Sequence, residues 1–294
     1  MDLFDQFALA RHRARAARMA APGDAPNFLL ARVAEDLIDR LSFIKRTFTD
    51  AVDLGCHDGT LGRALRSAGI ANVVSADASP EMLALAETPR LAVDLARLPF
   101  APASVDLVVS GLALQFVNDL PGTLVQIRHT LRPDGLFLAA VVGGRSLHEL
   151  REVLLLAETE LTGGAAPRIA PMIDVRDFGS LLQRAGFALP VVDSDVANVT
   201  YAHPLQLMHD LRAMGAANCL AERPRNFLPR GVLQRAVEIY RDRHAGPDGR
   251  IRASFEIITA TAWAPHESQQ QPLQPGSASV RLADALKPRG GDEG

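Results

Sequence analysis

A chain of 294 residues, 48% of them hydrophobic, is long enough to bury one large core, or a core plus an accessory subdomain. Its formal net charge of −3 gives no indication of bulk nucleic-acid binding. The two cysteines, Cys56 and Cys219, fit a reducing compartment and disfavour a disulfide scaffold. No apolar run reaches the roughly 18 residues of a membrane helix, and the Arg-rich start lacks the apolar segment of a secretory signal. We therefore expect a cytoplasmic location.

The first 45 residues are predicted to form two helices ahead of the main domain. Residues 1–20 have the pattern of a charged amphipathic helix, which is interrupted by the Pro- and Gly-containing segment 21–26. A second helix is expected over residues 28–43, because apolar residues recur there at helical spacing.

Strands and helices then alternate. The predicted strands are residues 51–54, 72–76, 91–93, 105–110 and 136–142, and the predicted helices include residues 61–68, 82–87 and 120–131. Regular alternation of this kind is typical of an α/β fold with a doubly wound parallel sheet.

The pattern changes after Gly144. Helices are expected at 146–161 and 175–185, strands at 190–201 and 254–263, and a helical insert at about 204–244. We therefore divide the chain into N-terminal helices (1–45), a main domain (46–265) and a tail (266–294). The tail is rich in Gln, Pro, Gly and Ser, a composition that predicts flexibility.

The segment from Asp53 to Gly59 joins the first strand to a helix. A glycine-rich turn at such a junction lets a ligand approach the backbone and meet the helix N-terminus. The dinucleotide pattern G-x-G-x-x-G would need glycine at positions 55, 57 and 60, but His57 and Thr60 occupy two of them. The tighter pattern G-x-G-x-G of S-adenosylmethionine (SAM) binding domains fails only at His57. The loop therefore favours SAM over NAD.

Two acidic residues extend this prediction. Asp77 ends the second strand about twenty residues after the loop, where a carboxylate can accept both ribose hydroxyls of an adenosine. Its alternative role is that of a charge at a helix N-terminus. Asp94 follows the third strand and is placed to accept a hydrogen bond from an adenine amino group, with Leu95 lining the ring. A simple strand-end turn is the alternative there.

The fourth strand carries polar residues at both ends. Asp106 lies at its N-terminal edge, away from the crevice expected at the carboxyl ends of the strands, and is interpreted as structural. Gly111 and Gln115 follow its carboxyl end and are candidates to line the ligand site. The full set of predicted cofactor-binding residues is Asp53, Gly55, Cys56, His57, Gly59, Asp77, Ala78, Asp94, Leu95, Gly111 and Gln115.

Four segments in this order and spacing resemble the class I SAM-dependent methyltransferase family. They are Val52–Gly55, Asp77–Leu83, Asp94–Phe100 and Leu131–Gly135. The resemblance covers about residues 50–142. It implies a Rossmann-like sheet of seven strands with the last one antiparallel, and SAM as the cofactor.

Further segments outside this core resemble the methyltransferase-like assembly factors of respiratory complex I and their bacterial relatives. They are Phe4–Asp5 with the Arg-rich helix, Gly143–Glu160, Ile169–Pro171, Leu211–Cys219 and His266–Ser268. This resemblance implies a complex I (NADH dehydrogenase) subunit as a partner, and for the mitochondrial member hydroxylation of a subunit arginine. If the chain is eukaryotic, it implies the mitochondrial matrix.

Three functions therefore remain open. Methyl transfer needs no acid/base motif, because SAM already carries an activated methyl group and the protein mainly aligns it with its acceptor. A non-haem iron hydroxylase would need two histidines and a carboxylate, but no H-x-D or H-x-E unit occurs and we predict no metal site. A non-catalytic SAM-binding chaperone is the third possibility, since His57 stands where close backbone approach is expected. The helical insert favours a protein or another bulky acceptor, and the catalytic residues and oligomeric state are not predicted.

Overall fold

The computed structural model describes residues 2–20 and 27–270. The predicted break at 21–26 and residues 271–294 of the predicted tail lie outside the described residues. Within the described part of the tail, the backbone N–H of Gln269 donates to the carbonyl of His266 and closes a turn. No helix of the described ranges is long and apolar enough to cross a membrane.

Seven strands form one mixed sheet in the order β3–β2–β1–β4–β5–β7–β6. They are β1 (Asp50–Leu54), β2 (Asn72–Asp77), β3 (Arg90–Ala92), β4 (Val105–Gly111), β5 (Leu131–Val142), β6 (Ala188–Tyr201) and β7 (Ile251–Trp263). Strands β1 to β5 are parallel, and β7 is antiparallel to both β5 and β6. The predicted α/β fold is therefore confirmed, including its antiparallel last strand.

Nine helices and one short 3₁₀ turn at Leu114–Phe116 accompany the sheet in the described residues. The helices are α1 (Gln6–Met19), α2 (Phe28–Ser42), α3 (Thr60–Ser67), α4 (Pro80–Leu83), α5 (Leu120–Thr130), α6 (His148–Thr162), α7 (Val175–Arg184), α8 (Pro204–Ala213) and α9 (Arg230–His244). The helical insert predicted at 204–244 is thus a pair of helices joined by the segment 214–229.

The sheet separates two apolar cores. One face packs against α2, α3, α6 and α9 and buries residues such as Leu37 and Tyr240. The other face packs against α5 and α7 and buries Phe137 and Phe178. Strand β4 lies between β1 and β5, and its apolar residues are covered on both sides, as expected of a central parallel strand. The ends of the strands are therefore the parts of the sheet left open to a ligand.

Two boundaries within the main domain differ from the sequence expectations by more than three residues. The helix expected at 82–87 is only the single turn Pro80–Leu83, after which Ala86 packs against Cys56 of the neighbouring loop. Strand β5 begins at Leu131 rather than at 136. The reason is that Arg132 donates to Asp50 and Asp106 at 2.8 Å each, which ties this segment to β1 and β4. Asp106 is structural at this edge, as expected.

Helix α1 packs over the loops that follow the parallel strands and lies outside both apolar cores. The carboxylate of Asp5 caps the helix by accepting from Ala8 N–H at 3.0 Å, and Arg223 lies 3.0 Å from the same side chain. These contacts, the Ala8 N–H first, lower the pKa of Asp5 to about 2. Phe4 pairs with Leu220 through an isolated β-bridge, so the start of α1 is joined to the segment that follows α8.

Candidate functional site

The loop after β1 depends on glycine at two positions. Gly55 and Gly59 have φ values of 74° and 80°, in the left-handed region that favours glycine. A Cβ atom on Gly55 would overlap the side chain of Ala113, and one on Gly59 would lie 2.7 Å from the Cα of Ala86. The N–H groups of Gly55 and Cys56 donate to the carbonyl of Ala76, which joins the loop to the end of β2.

The side chain of His57 turns towards the end of β4. Its Nε2 lies 3.1 Å from the Gly111 carbonyl and 3.2 Å from the Leu112 carbonyl. Since both partners accept, Nε2 carries the proton, and Nδ1 is a buried acceptor that finds no hydrogen-bond donor among the described residues. Burial, and then the charge of Arg13, hold the pKa of His57 well below its ordinary value. The ring is therefore a neutral hydrogen-bond acceptor at pH 7.

Asp77, at the carboxyl end of β2, accepts hydrogen bonds from three different residues. Its carboxylate is fully buried and accepts from Ser79 N–H at 2.8 Å and from His57 N–H at 3.0 Å. Arg13 of α1 donates from Nη1 to both oxygens, at 3.1 and 3.0 Å. Burial opposes ionisation of Asp77, but the Arg13 charge and the backbone donors outweigh it and hold its pKa below the ordinary value.

Asp53 is buried beneath the loop, beside the first turn of α3. Neither carboxylate oxygen has a well-formed hydrogen bond to a group that the structure describes. Burial raises the pKa of Asp53 to about 7, although the Gly62 backbone opposes the rise. Its carboxylate is therefore partly protonated at neutral pH.

Asp53→Asn should stabilise the protein at pH 8 and flatten its stability between pH 4 and pH 7. The folded pKa of about 7 lies above the ordinary 3.8, so the folded chain holds a proton that the unfolded chain releases. The stabilisation from this group is therefore present below pH 4 and is lost as the pH rises to 7. The full difference corresponds to about 4 kcal/mol. Urea unfolding across this pH range measures it.

Asp50→Asn, in the same strand, is the matched control. Its pKa is lowered by the Asn72 and Arg132 side chains, so its stabilising contribution is present at neutral pH and is lost on acidification. This variant should be less stable than the wild type at pH 8. If the free energy of unfolding of Asp53→Asn changed with pH as steeply as that of the wild type, Asp53 would be ionised across this whole pH range.

Two cavities meet at the carboxyl ends of β1, β2 and β4. The first, which we name the polar cavity, has a volume of 390 Å³. It is lined by Asp2, Gln6, Leu9, Ala10, Arg13, Ala78, Ser79, Asp94, Leu95, Ala96, Arg97, Ala113, Phe116, Val117, Asn118 and Asp119. Its walls therefore come from α1, the ends of β2 and β3, and the segment after β4.

The second, the apolar cavity, has a volume of 260 Å³ and lies on the other side of Arg13. Its walls are mainly Leu, Met, Ile and Phe side chains from α2, α6, α8 and the segment 168–172. Polar atoms at its edge include Gln115 Oε1 and Arg13 Nη2, which are buried and find no partner among the described residues. Only Arg13 and Phe116 line both cavities.

Comparisons with known proteins agree with this architecture. The family described as "Methyltransferase domain" matches residues 52–139. The chain is 38% identical to the Homo sapiens protein named "Arginine-hydroxylase NDUFAF5, mitochondrial", over 98% of this chain and 84% of that one. It is 33% identical to a malonyl-[acyl-carrier protein] O-methyltransferase of Methylovorus sp., over 95% and 93% of the two chains. The chain belongs to the class I SAM-dependent methyltransferases. The solved YcgJ protein of Bacillus subtilis, 14% identical, shares the fold with a TM-score of 0.56 over 80% of this chain and 99% of that one.

Five of the eleven predicted site residues line the two cavities of this methyltransferase. Ala78, Asp94 and Leu95 line the polar cavity, whereas His57 and Gln115 line the apolar one. The other six line neither cavity: Asp53, Gly55, Cys56, Gly59, Asp77 and Gly111. Among these, the thiol of Cys56 packs against Leu83 and Ala86, and burial raises its pKa. Gly111 acts on the site through its carbonyl, which holds His57.

Sequence reasoning missed Arg13 in this methyltransferase. A signal was present, because Leu9, Arg13 and Ala16 follow one another at helical spacing and all three are buried on one face of α1. An arginine on such a face needs a buried anion. Within residues 2–20 and 27–270, no group of three or more His, Cys, Asp or Glu side chains is placed to hold a metal ion.

Proposed function

We propose that SAM binds with its adenosine in the polar cavity and donates its methyl group to an acceptor in the apolar cavity. The observation that supports this most directly is the meeting of the two cavities at Arg13 and Phe116, where Arg13 covers the buried Asp77 at the carboxyl end of β2. In this proposal Asp94 and Leu95 contact the adenine, Asp77 accepts from the ribose hydroxyls, and the loop 55–59 receives the methionine portion.

Buried polar atoms without partners support a polar ligand at this junction. His57 Nδ1 and Gln115 Oε1 can each accept a hydrogen bond, and Arg13 Nη2 can donate one. Such atoms are costly to bury unless a ligand pairs with them. SAM supplies a methyl group already activated by its sulfonium. The residues of this chain then bind the cofactor, orient its methyl group towards the acceptor and exclude water. The neutral His57 and Gln115 side chains orient hydrogen-bond donors on the acceptor.

The acceptor side of the proposal is a protein or another bulky molecule. The apolar cavity lies between the main domain (46–265), its helical insert (204–244) and the N-terminal helices (1–45), so a side chain or acyl group could enter it. Segments that cover a reaction site in this way commonly exclude water from it. We propose a cytoplasmic location, or the mitochondrial matrix if the chain is eukaryotic.

A second function is favoured by the identity to the proteins named arginine-hydroxylase, 37% to 38% over 98% of the chain. In that function the chain acts on an arginine of a complex I subunit, or assists assembly as a non-catalytic SAM-binding chaperone. The same apolar cavity would receive the subunit segment.

SAM should raise the melting temperature of the purified protein by binding linkage, by several degrees at millimolar ligand. No shift at that concentration would remove both the methyltransferase and the SAM-binding chaperone from consideration. Calorimetric titration measures the heat of SAM binding directly and is therefore independent of the melting-temperature shift.

Mass spectrometry of complex I subunits from a deletion strain separates the reactions. A subunit lighter than wild type by one methylene group supports methyl transfer, and one lighter by one oxygen atom supports hydroxylation. Unchanged subunit masses with poor assembly of the complex support the chaperone. Complementation with the intact gene is the control and should restore the wild-type mass.

A further inference from the structure

We propose that Arg13 is a gate between the two cavities and that SAM opens it by competing for Asp77. The inference rests on the proposed cofactor site. It adds a residue of the N-terminal helix to the binding machinery and predicts that SAM changes the partner of that residue.

The hydrogen-bond capacity of Asp77 is already used. A carboxylate offers about four lone-pair sites. Arg13 Nη1 contacts both oxygens, Ser79 N–H occupies Oδ1 and His57 N–H occupies Oδ2. The two backbone donors belong to the fold of the loop and of the turn before α4. The Arg13 guanidinium is therefore the one partner that ribose hydroxyls can replace without breaking the loop.

Replacement of Arg13 by ribose hydroxyls would also change the boundary between the two cavities. Its side chain is buried and lines both cavities, so in this conformation it divides them. A SAM molecule reaching from Asp94 to the loop 55–59 must pass the place that the guanidinium occupies. Nη2 of Arg13 already lacks a partner among the described residues, so only the contacts of Nη1 hold the side chain on Asp77.

The apolar cavity offers the Arg13 side chain a space into which it can move. Gly215, after α8, lies against the Arg13 backbone, with 3.4 Å between the Arg13 Cα and a Cβ built on the glycine. This glycine also lines the apolar cavity. Displaced from Asp77, the guanidinium turns into the apolar cavity, where Gln115 Oε1 is a free acceptor. Cofactor binding thereby joins the two cavities and moves a positive charge into the apolar cavity, where the acceptor is proposed to bind.

Adenosine is the probe that tests the competition, because it carries the ribose hydroxyls and lacks the methionine carboxylate, which could itself attract Arg13. Calorimetric titration of the full chain should show that Arg13→Met binds adenosine about tenfold more tightly than wild type, since the ribose no longer competes with a bound cation. SAM should also bind more tightly. Arg11→Met, an exposed arginine of the same helix, is the matched control and should leave both affinities unchanged.

A ligand control and a second variant make the result decisive. 2′,3′-Dideoxyadenosine lacks the competing hydroxyls, so Arg13→Met should not change its affinity. If Arg13→Met fails to fold because Asp77 is left unpaired, Arg13→Lys retains a cation and should show a smaller gain in adenosine affinity. Equal or weaker adenosine binding by a folded Arg13 variant overturns the gate. Absence of SAM binding in every form, including wild type, overturns the proposed function instead.

Discussion

Replacing Asp77 by alanine should abolish SAM binding. Two ribose hydroxyls would lose a charged acceptor, and each hydrogen bond to a charged group contributes about 1.5 to 3 kcal/mol. The expected loss is therefore at least about 100-fold in affinity. Titration calorimetry measures it directly, and the SAM-induced rise in melting temperature should disappear with it.

The same substitution should destabilise the chain, because it leaves the buried Arg13 guanidinium without its anion. Side-chain exposures of 4% and 0% for Arg13 and Asp77 put the pair among buried ion pairs. Removing one partner of such a pair typically costs about 3 to 5 kcal/mol, whereas replacing both by apolar residues is often neutral. The double variant Asp77→Leu/Arg13→Met should therefore recover part of the lost stability but not SAM binding, because the His57 and Ser79 N–H groups still lack their acceptor.

The comparison of the single and double variants separates binding from folding. Loss of SAM binding in a folded double variant that is more stable than Asp77→Ala would assign the ribose contact to Asp77. Retained SAM affinity in that variant would show that the ribose lies elsewhere, and that the Asp77–Arg13 pair has a structural role alone. Asp242→Asn, a change of an exposed acidic residue of α9 that lines neither cavity, is the control and should leave SAM affinity unchanged.

Much of the sheet could be predicted because its strands and turns are encoded locally. The apolar run of β4 and the glycine turn at Gly55 are each visible within a few residues, and the regular alternation of strands and helices predicts a doubly wound parallel sheet. Asp77 and Asp94 could be placed for the same reason, since each directly follows a predicted strand. The antiparallel β7, in contrast, was expected only from the resemblance to a family.

The cavities could not be predicted, because their walls come from segments distant in sequence. Arg13 meets Asp77 across 64 residues of chain. The apolar cavity combines α1, α6 and the segment after α8, and no local pattern specifies how those segments pack. His57 was interpreted as an obstacle at a glycine position, yet its ring reaches the carbonyls of β4 because the residue adopts a φ of 50°.

Ala217→Trp should block the acceptor without displacing SAM. Ala217 lines the apolar cavity, lies outside the polar cavity, and is fixed by a contact of 3.1 Å between its carbonyl and His12 Nδ1. An indole ring in place of a methyl group fills much of a 260 Å³ space. Because misplacing a reacting group by about 1 Å can cost roughly 100-fold in rate, we expect a loss of at least that size.

If the acceptor is the proposed complex I subunit, the readout is the modified fraction of that subunit when a deletion strain is complemented with the variant, alongside SAM affinity of the purified protein. Ala202→Trp, an exposed position between β6 and α8 that lines neither cavity, is the control and should complement fully. Full modification by Ala217→Trp would show that the acceptor approaches by another route. Loss of modification together with unchanged SAM affinity would assign the two cavities to two different ligands, because a single shared site could not lose one without disturbing the other.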